Sequence, residues 1–325
     1  MQKIAVIGAG SWGTTLAILL SEKGFNVNLW VRREGLANEI ESKRENIQYL
    51  PGIKFPNKLI AEHSLKSALE SSDIIITAVP SEFLRNTLRE IKSYFNNQII
   101  VSVTKGIEHN TGKRMSQVIE DELGKARIAV MSGPNHAEEV SRKMPTASVI
   151  ASKDKKTCKI VAECFATPSL KVYQLNDVVG VEICGALKNI SAIATGVCDG
   201  FGFGDNARAS IITLGLSEIN NFGKRFGAKR GTVYGLAGVG DLIATCTSKH
   251  SRNRFVGEQL ARGKTIEEIK KEMHGMLAEG VPTTKAVHDY SSKNNIEMPL
   301  TRQAYEVLFK KKNIKKAIVD LLDLV

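Results

Sequence analysis

The sequence predicts an α/β domain with a mainly parallel sheet, followed by an all-α domain. In the first half, short and nearly continuous apolar runs alternate with helical patterns, which is typical of strands buried on both faces of a parallel sheet. After about Asp177 the strand signal stops, and helical patterns broken by glycine loops continue to Val325. We therefore predict one domain over residues 1–176 and a second over residues 177–325.

The predicted elements follow from hydrophobic periodicity. The strands are "KIAVIG", "NVNLWV", "DIIITAV", "QIIVSV" and "RIAVM", with two further candidates in "TASVIA" and "LKVYQL". The helices of the second half are "VVGVEICGALKNISAIATGVC", "ARASIITLGLSEINNFGKRFG", "NRFVGEQLARG", "TIEEIKKEMHG", "TTKAVHDYSSKNN" and "LTRQAYEVLFK". Between the second and third of these helices, "GLAGVGDL" is predicted to be a tight loop that faces the substrate.

The composition restricts the class of partner. The 325 residues include 45 Lys and Arg against 34 Asp and Glu, a net charge of +11, which favours an anionic partner without choosing its chemistry. Aromatic residues are sparse and do not interleave with basic runs, so we expect no nucleic-acid partner. Five cysteines without metal or disulfide spacing fit a cytoplasmic protein without a metal site. The chain opens on a strand, and Lys188 interrupts its most apolar helix, so we expect neither a signal peptide nor membrane insertion.

The first strand leads into a glycine-rich turn. In "KIAVIGAGSWGTTLAILLSEKG", Gly8, Gly10 and Gly13 match G-x-G-x-x-G between a strand and a helix. The first glycine permits a tight turn, the second allows backbone to approach a pyrophosphate, and the third lets the helix pack on the strand. The helix N-terminus then offers free N–H groups to phosphates. This pattern predicts a Rossmann-type, NAD(P)-binding domain.

The end of the second strand bears on cofactor choice. A site selective for NAD has Asp or Glu at this position to bind the ribose 2′-hydroxyl. Here "LWVRRE" places Arg32 and Arg33 there, and arginine can bind a 2′-phosphate in a bidentate manner. Glu34 is the alternative if the strand ends later. The pattern favours NADP and leaves NAD open.

Two further strands end in polar residues. In an open parallel sheet, ligands bind beyond the carboxyl ends of the strands. The run "QIIVSVTKG" delivers Lys105 to that edge, and "RIAVMSGPNHAEEV" delivers Gly133 and Asn135 before a predicted helix N-terminus. Lys105 is interpreted either as a ligand group or as a solvated loop lysine.

A single lysine, Lys188, lies in the otherwise small and apolar helix "GALKNISAIATG". Its neighbours on the same helix face are all small: Cys184, Gly185, Ser191 and Ala192. We therefore predict a groove with room for a substrate, with Asn189 as a polar group beside it. Burial lowers the pKa of an amine toward neutrality, where the amine can exchange a proton. The alternative is a lysine whose amine extends to the solvent at the helix end.

Downstream of this helix, "GLAGVGDLIATCTSKHSRNRF" contains a second polar group. Asp241 follows the glycines and could hydrogen-bond an amine, and Ser251, Arg252 and Asn253 begin the next helix. Hydroxyl, guanidinium and amide groups at a helix N-terminus form an anion site suited to phosphate. Simple capping by Ser251 would explain the serine alone.

Five segments, "GAGSWGT", "VTKGIE", "SGPN", "GALKNISAIATG" and "GLAGVGDLIATC…SRN", occur in order along essentially the whole chain. Together they resemble the bacterial NAD(P)-dependent glycerol-3-phosphate dehydrogenases, with Ser191 where that family prefers an aliphatic residue. The resemblance implies reversible reduction of dihydroxyacetone phosphate to sn-glycerol 3-phosphate, with NADP or NAD as cofactor. It also implies a cytoplasmic homodimer that supplies glycerophospholipid synthesis.

The resemblance also implies residue roles. Lys188 would be the proton donor and acceptor, with Asp241 holding its amine and Asn189 beside it. Substrate contacts would come from Lys105, Gly133, Asn135, Asp241, Ser251, Arg252 and Asn253, although the family often has Thr or Ser at the Asn135 position. Cofactor contacts would come from Gly8, Gly10, Ser11, Trp12, Gly13, Arg32, Arg33, Lys105, Ala137, Arg252 and Glu279.

Two other functions fit parts of the pattern. A related hydroxyacid dehydrogenase could use a helix lysine against a carboxylate substrate, although the "SRN" helix start suits phosphate better. A non-catalytic NADP-sensing module would leave Lys188 unexplained. His136 is a further candidate base, but "GPNHAEE" favours a position at the start of a helix.

Overall fold

The computed structural model describes residues 2–273, 276 and 278–322. It divides into two compact units, of which the first comprises Met1–Thr104 and Met115–Val178, and the second comprises Lys105–Arg114 and Val179–Val325. The short segment Lys105–Arg114 therefore belongs with the helical half, whereas the sequence assigned it to the first domain. The boundary after residue 176 otherwise stays a prediction.

The first unit is built on a sheet of eight strands. They are β1 (Lys3–Ile7), β2 (Asn26–Trp30), β3 (Leu59–Glu62), β4 (Ile74–Thr77), β5 (Ile99–Ser102), β6 (Arg127–Ser132), β7 (Thr146–Ala151) and β8 (Leu170–Leu175). Their order is β3-β2-β1-β4-β5-β6-β7-β8, and every neighbouring pair is parallel except β6 and β7. The prediction of a Rossmann-type, mainly parallel sheet is confirmed.

Helices cover both faces of this sheet. They are α1 (Ser11–Glu22), α2 (Glu34–Lys43), α3 (Leu65–Leu69), α4 (Ser81–Ile91), α5 (Met115–Leu123), α6 (Ala137–Val140) and α7 (Lys155–Phe165), with a 3-10 turn at Lys92–Tyr94. Along β1, Ile4 and Val6 pack with α1 and α7, whereas Ala5 and Ile7 pack with α4 and α5. Alternate residues thus enter two different cores, which explains why the strand is apolar throughout.

The edge strand β3 was absent from the predicted strands. It has four residues and lies at one end of the sheet. Ile60 within it is 50% exposed, so the strand lacks the continuous apolar run of strands buried on both faces.

The second unit is helical, as predicted. After α8 (Val178–Gly200) come α9 (Asp205–Arg225), α10 (Arg230–Val233), α11 (Asp241–Thr247), α12 (Arg252–Ala261), α13 (Ile266–Glu272), α14 (Gly280–Lys293), α15 (Pro299–Lys310) and α16 (Ile314–Leu322). All six predicted helices are present among these. The last two residues of "TIEEIKKEMHG", 274 and 275, lie outside the described residues.

The predicted loop "GLAGVGDL" is instead helical. Leu236–Gly240 forms a π-helical turn that continues directly into α11. A Cβ on Gly238 would lie 1.8 Å from the carbonyl oxygen of Val233. The glycine therefore serves close packing of the backbone, and the interpretation as a loop was wrong.

The helix α8 is the centre of the second unit. It is long and apolar enough to cross a membrane by composition alone, yet 89% of its most apolar window is buried within the protein, as in a core helix. A Cβ on Gly215 of α9 would lie 2.0 Å from the Ser191 hydroxyl, and a Cβ on Gly257 of α12 would lie 1.9 Å from the carbonyl oxygen of Ile193. The small residues of α8 thus allow α9 and α12 to pack closely against it. The prediction of a substrate groove along Ser191 is therefore wrong, because α9 occupies that space.

A buried carboxyl group holds the start of α15. Glu218 on α9 is 5% exposed and accepts hydrogen bonds from the backbone N–H groups of Leu300 and Thr301 and from the Thr301 hydroxyl. Burial raises the pKa of Glu218 to about 7, against the hydrogen bonds, which lower it. The folded protein therefore binds a proton here at pH values where the unfolded chain does not.

We expect Glu218→Gln to flatten the dependence of stability on pH. Between the ordinary carboxyl pKa of 4.5 and about 7, only the folded state binds this proton, so stability falls as the pH rises. The loss amounts to roughly 3 kcal/mol at most, and the neutral glutamine removes it. Urea unfolding of both proteins at pH 5 and pH 8 measures the difference. Parallel pH dependences would contradict the prediction.

Candidate active site

The glycine turn between β1 and α1 uses its three glycines differently. Gly8 has φ of +117°, and a Cβ there would lie 2.8 Å from the Ala78 carbonyl oxygen. A Cβ on Gly13 would lie 2.0 Å from the carbonyl oxygen of Gly8, so the helix packs directly on the turn. Gly10 differs, because a Cβ there would meet no described atom within 4 Å beyond its chain neighbours. The space beside Gly10 is therefore open to a ligand.

The start of α1 fits an anionic group. The helix begins at Ser11, directly after Gly10, so its first N–H groups and its dipole favour negative charge at the turn. The buried indole N–H of Trp12 has no hydrogen-bond partner among the described residues. Open space, backbone donors and a spare side-chain donor together fit the pyrophosphate of a dinucleotide.

Two exposed arginines follow β2. The strand ends at Trp30, and Glu34 already begins α2, so the arginines occupy the positions just beyond the strand end. The Arg32 guanidinium lies 5.4 Å from the centre of the Phe83 ring, and Arg33 donates to the Gln48 side chain at 2.5 Å. Both cations are therefore partly fixed before any ligand binds.

The segment after β6 is tied to its neighbours in the first unit. Gly133 has φ of +136°, and a Cβ there would lie 3.1 Å from the α-carbon of Ser148. The Asn135 amide donates to the Ser148 hydroxyl at 2.9 Å. The Ala137 carbonyl at the start of α6 accepts from the Thr15 hydroxyl of α1 at 3.3 Å. These contacts place the predicted ligand residues on a fixed backbone.

In the second unit, two amines share one carboxylate. Lys188 of α8 donates to Oδ1 of Asp241, the first residue of α11, and Lys105 donates to Oδ2 at 2.9 Å. Lys188 and Asp241 are 5% and 2% exposed. We call these residues the lysine–aspartate triad. Two ammonium groups and one carboxylate carry a net charge of +1, so the triad favours an anion or a developing negative charge.

Burial sets the protonation behaviour of the triad. Loss of water lowers the pKa of Lys188 to about 7, assisted by the charge of Lys105 and opposed by Asp241. Burial alone would raise the pKa of Asp241, but the charges of Lys105 and Lys188 prevail and lower it. Asp241 stays ionised while Lys188 can gain or lose a proton near neutral pH. The amine of Lys188 does not extend to solvent, which excludes the alternative predicted for it.

Thr245 completes this cluster and was not predicted from the sequence. Its hydroxyl accepts from Lys188 Nζ at 2.7 Å and donates to the Asp241 carbonyl at 2.6 Å. Asp241 and Thr245 are four residues apart in α11, so they share one face of the helix. That spacing would have identified Thr245 if Asp241 had been placed on a helix.

Two asparagines link three helices beside the triad. The Asn253 amide donates to Asn189 Oδ1 at 2.9 Å and accepts from the Gly280 backbone N–H at 2.8 Å. Asn189 lies on α8, Asn253 on α12 and Gly280 at the start of α14. The pair therefore fixes the start of α12 relative to α8.

The remaining predicted residues lie at helix starts. Ser251 caps α12 by accepting from the Arg254 backbone N–H at 3.2 Å, and the exposed Arg252 is the first residue of that helix. Glu279 immediately precedes α14 and is partly buried. Among the residues that the structure describes, no group of three His, Cys, Asp or Glu side chains could hold a metal ion.

An open glycine turn at a helix N-terminus in the first unit and a buried amine–carboxylate cluster in the second both fit the class of nicotinamide-dependent dehydrogenases. Comparison with protein families specifies which one. The model described as the NAD-dependent glycerol-3-phosphate dehydrogenase N-terminus matches residues 3–158, and the model of the C-terminus matches residues 177–319. The chain belongs to the NAD-dependent glycerol-3-phosphate dehydrogenase family.

Individual relatives and solved structures support the same family assignment. The chain is 49% identical to the glycerol-3-phosphate dehydrogenase (NAD(P)+) of Chlorobium phaeobacteroides, over 99% of this chain and 97% of that protein. It matches the crystal structure of glycerol-3-phosphate dehydrogenase from Coxiella burnetii with a TM-score of 0.96 and 39% identity, over 99% of both chains. The structure of glycerol-3-phosphate dehydrogenase from Saccharomyces cerevisiae matches with a TM-score of 0.84 and 32% identity, over 98% of this chain and 99% of that one.

We expect Gly10→Ala and Gly13→Ala to separate ligand binding from stability. Alanine tolerates the φ of −72° at Gly10, so stability should hold while the added methyl group weakens NADPH binding. Gly13→Ala places its methyl against the carbonyl oxygen of Gly8, which should cost roughly 1–3 kcal/mol of unfolding free energy. Urea unfolding and fluorescence titration with NADPH measure both effects. A destabilised Gly10→Ala protein with unchanged NADPH affinity would refute this assignment.

Proposed function

We propose that the protein catalyses the reversible, NAD(P)H-dependent reduction of dihydroxyacetone phosphate to sn-glycerol 3-phosphate. The observation that carries the proposal is the lysine–aspartate triad, a buried proton donor with excess positive charge. Membership of the dehydrogenase family and the similarity to relatives named glycerol-3-phosphate dehydrogenase support the same reaction.

Lys188 is the proton donor in this proposal. A reduced nicotinamide cofactor, held at the glycine turn beside Gly10 and the start of α1, would supply the hydride for the carbonyl carbon of the substrate. Negative charge then develops on the carbonyl oxygen, and the Lys188 ammonium stabilises this charge and donates its proton. Its pKa of about 7 populates both the charged and the neutral amine near neutral pH, so Lys188 can donate a proton in one direction and accept one in the other.

The rest of the triad keeps Lys188 in place through the proton transfer. Lys105 pairs with the second oxygen of Asp241, so the carboxylate remains neutralised when Lys188 loses its charge. The triad passes from +1 to neutral while the substrate oxygen passes from negative to neutral. Thr245 accepts a hydrogen bond from the ammonium group. This second contact fixes the direction of the ammonium group, which could still rotate if Asp241 alone held it.

The start of α12 would bind the substrate phosphate. Arg252 offers the bidentate guanidinium that suits phosphate oxygens, and the helix N-terminus adds backbone donors. Asn253 uses its amide oxygen and one N–H for Gly280 and Asn189, which leaves its second N–H for phosphate. Ser251 primarily caps the helix.

The proposal extends to the remaining ligand contacts, the cellular location and the assembly of the protein. As the resemblance implies, cofactor contacts would come from Gly8, Gly10, Ser11, Trp12, Gly13, Ala137 and Glu279, and substrate contacts from Lys105, Gly133 and Asn135. We further propose a cytoplasmic homodimer that supplies glycerol phosphate for glycerophospholipids, as the resemblance implies.

We expect Lys188→Met to lower kcat by about 10²- to 10⁴-fold, the usual contribution of a general acid. Methionine is also unbranched and has nearly the bulk of the lysine stem, but it cannot donate a proton. Lys23→Met is the matched control, because that amine donates to the carbonyl oxygens of Glu163 and Ala166 in the first unit and should affect only Tm. Steady-state kinetics with dihydroxyacetone phosphate, together with Tm and NADPH titration, form the test. A folded, NADPH-binding Lys188→Met protein with normal kcat would remove Lys188 from the mechanism.

The same role predicts a pH dependence with opposite signs for the two directions. Reduction needs the protonated amine, so its rate should fall as the pH rises through about 7, the pKa of Lys188. Oxidation needs the neutral amine and should become faster over the same interval. Initial rates in both directions between pH 5.5 and 9 measure this. Matching trends in the two directions would contradict it.

We expect replacement of Arg32 and Arg33 by alanine to raise the KM for NADPH more than the KM for NADH, because only NADPH carries a 2′-phosphate for the guanidinium groups. Arg89→Ala is the control, since this mostly exposed arginine pairs with Glu122 within the same unit. Initial-rate kinetics with each reduced cofactor measure the ratio. Equal increases for both cofactors would rule out 2′-phosphate recognition.

A further inference from the structure

A buried asparagine outside the glycine motif holds the glycine turn. Asn46 is fully buried, and its Nδ2 group donates to the Ala9 carbonyl at 2.9 Å and to the Thr14 hydroxyl at 2.8 Å. Its Oδ1 accepts from the Tyr49 backbone N–H at 3.3 Å. Both amide hydrogens are thus directed at the turn and at the first turn of α1.

The loop that carries Asn46 is closed by its own contacts. An antiparallel bridge joins Glu45 to Lys54, and the Glu45 carboxylate accepts from the Gly52 backbone N–H at 2.8 Å. The Arg44 side chain donates to the carbonyl oxygens of Pro56 and Leu59. Closing the loop therefore does not require the Nδ2 hydrogens of Asn46.

The bond to Ala9 fixes the direction of a peptide plane. In a trans peptide, C=O and the next N–H point in opposite directions. Because Asn46 holds the Ala9 carbonyl, the Gly10 N–H must point away from Asn46. The bond to Thr14 fixes the start of α1 in the same frame. One side chain therefore sets the orientation of the turn and of the helix N-terminus together.

We infer that Asn46 is a positioning residue for the pyrophosphate of the dinucleotide. It orients the backbone donors at Gly10 and at the start of α1, and does not contact the reacting atoms. This inference rests on the proposed function only in that the protein binds NADPH. Preorganised donors bind more tightly because no conformational entropy is lost in ordering them at the moment of binding.

Asn46→Ala and Asn46→Asp test the inference. Alanine removes the bonds to Ala9 and Thr14, which should raise the Kd for NADPH and the inhibition constant of ADP-ribose by roughly tenfold, the effect of one well-placed hydrogen bond. Aspartate keeps the acceptor for Tyr49 but faces the Ala9 carbonyl with a carboxylate oxygen, so the loss should be larger. At saturating NADPH, kcat and the KM for dihydroxyacetone phosphate should stay close to those of the unmodified protein.

Asn28→Ala is the matched control. Asn28 is also buried in the first unit, and its amide donates to two backbone carbonyls, those of Ser67 and Ala68, at 3.1 and 3.2 Å. Its loss should lower Tm comparably without changing the Kd for NADPH.

Three outcomes would overturn the inference. They are folded Asn46 variants with normal NADPH affinity, an equal loss of affinity in Asn28→Ala, and failure of both Asn46 variants to fold, which would make Asn46 a folding residue. If the unmodified protein neither binds NADPH nor reduces dihydroxyacetone phosphate, the proposed function fails and this inference fails with it.

Discussion

One buried and one partly buried ammonium group around a single buried carboxylate are the constraint on which the second unit depends. Moving an ion out of water costs several kcal/mol, and only close pairing offsets that cost. Asp241 pairs with both amines at once, each through a different oxygen. The three groups come from α8, α11 and the segment Lys105–Arg114. These elements must therefore be held at fixed distances, or the ions lose their partners.

Glycine contacts supply that rigidity. Gly196 of α8 approaches the Arg254 carbonyl so closely that a Cβ would lie 1.9 Å from it, and Gly257 approaches Ile193 to the same degree. Backbone lies against backbone, so few side-chain rotamers can change the distance. The Asn189–Asn253 bond fixes the same two helices along their axes. The proton donor Lys188 on α8 and the start of α12 are thereby kept at a fixed distance. This matters because displacement of a catalytic group by about 1 Å can cost 10²-fold in rate.

Much of the fold and of the candidate site could be predicted where the local sequence pattern agrees with the fold. The apolar strands and the glycine turn were readable because each obeys a short-range rule. The π-helical turn and the small face of α8 were misinterpreted, because glycine marks both loops and close packing, and only the position of Val233 or Gly215 decides between them. Thr245 and Asn46 are single polar residues. The two acceptors of the Asn46 Nδ2 group lie 37 and 32 residues away, where no periodicity reveals them.

The segment Lys105–Arg114 has a consequence for synthesis. Ile107 enters the core of the second unit, Arg114 pairs with Glu182, and Gly112 packs against the Tyr290 ring. Lys105 leaves the ribosome 136 residues before Asp241, which is about 7 to 27 seconds at typical elongation rates. Asp241 and Tyr290, which contact Lys105 and Gly112, are not yet synthesised during that interval, whereas Glu182 already is. A nascent chain halted before α11 would lack the contacts that Asp241 and Tyr290 make with this segment, and a chaperone or protease could distinguish it there from the finished protein.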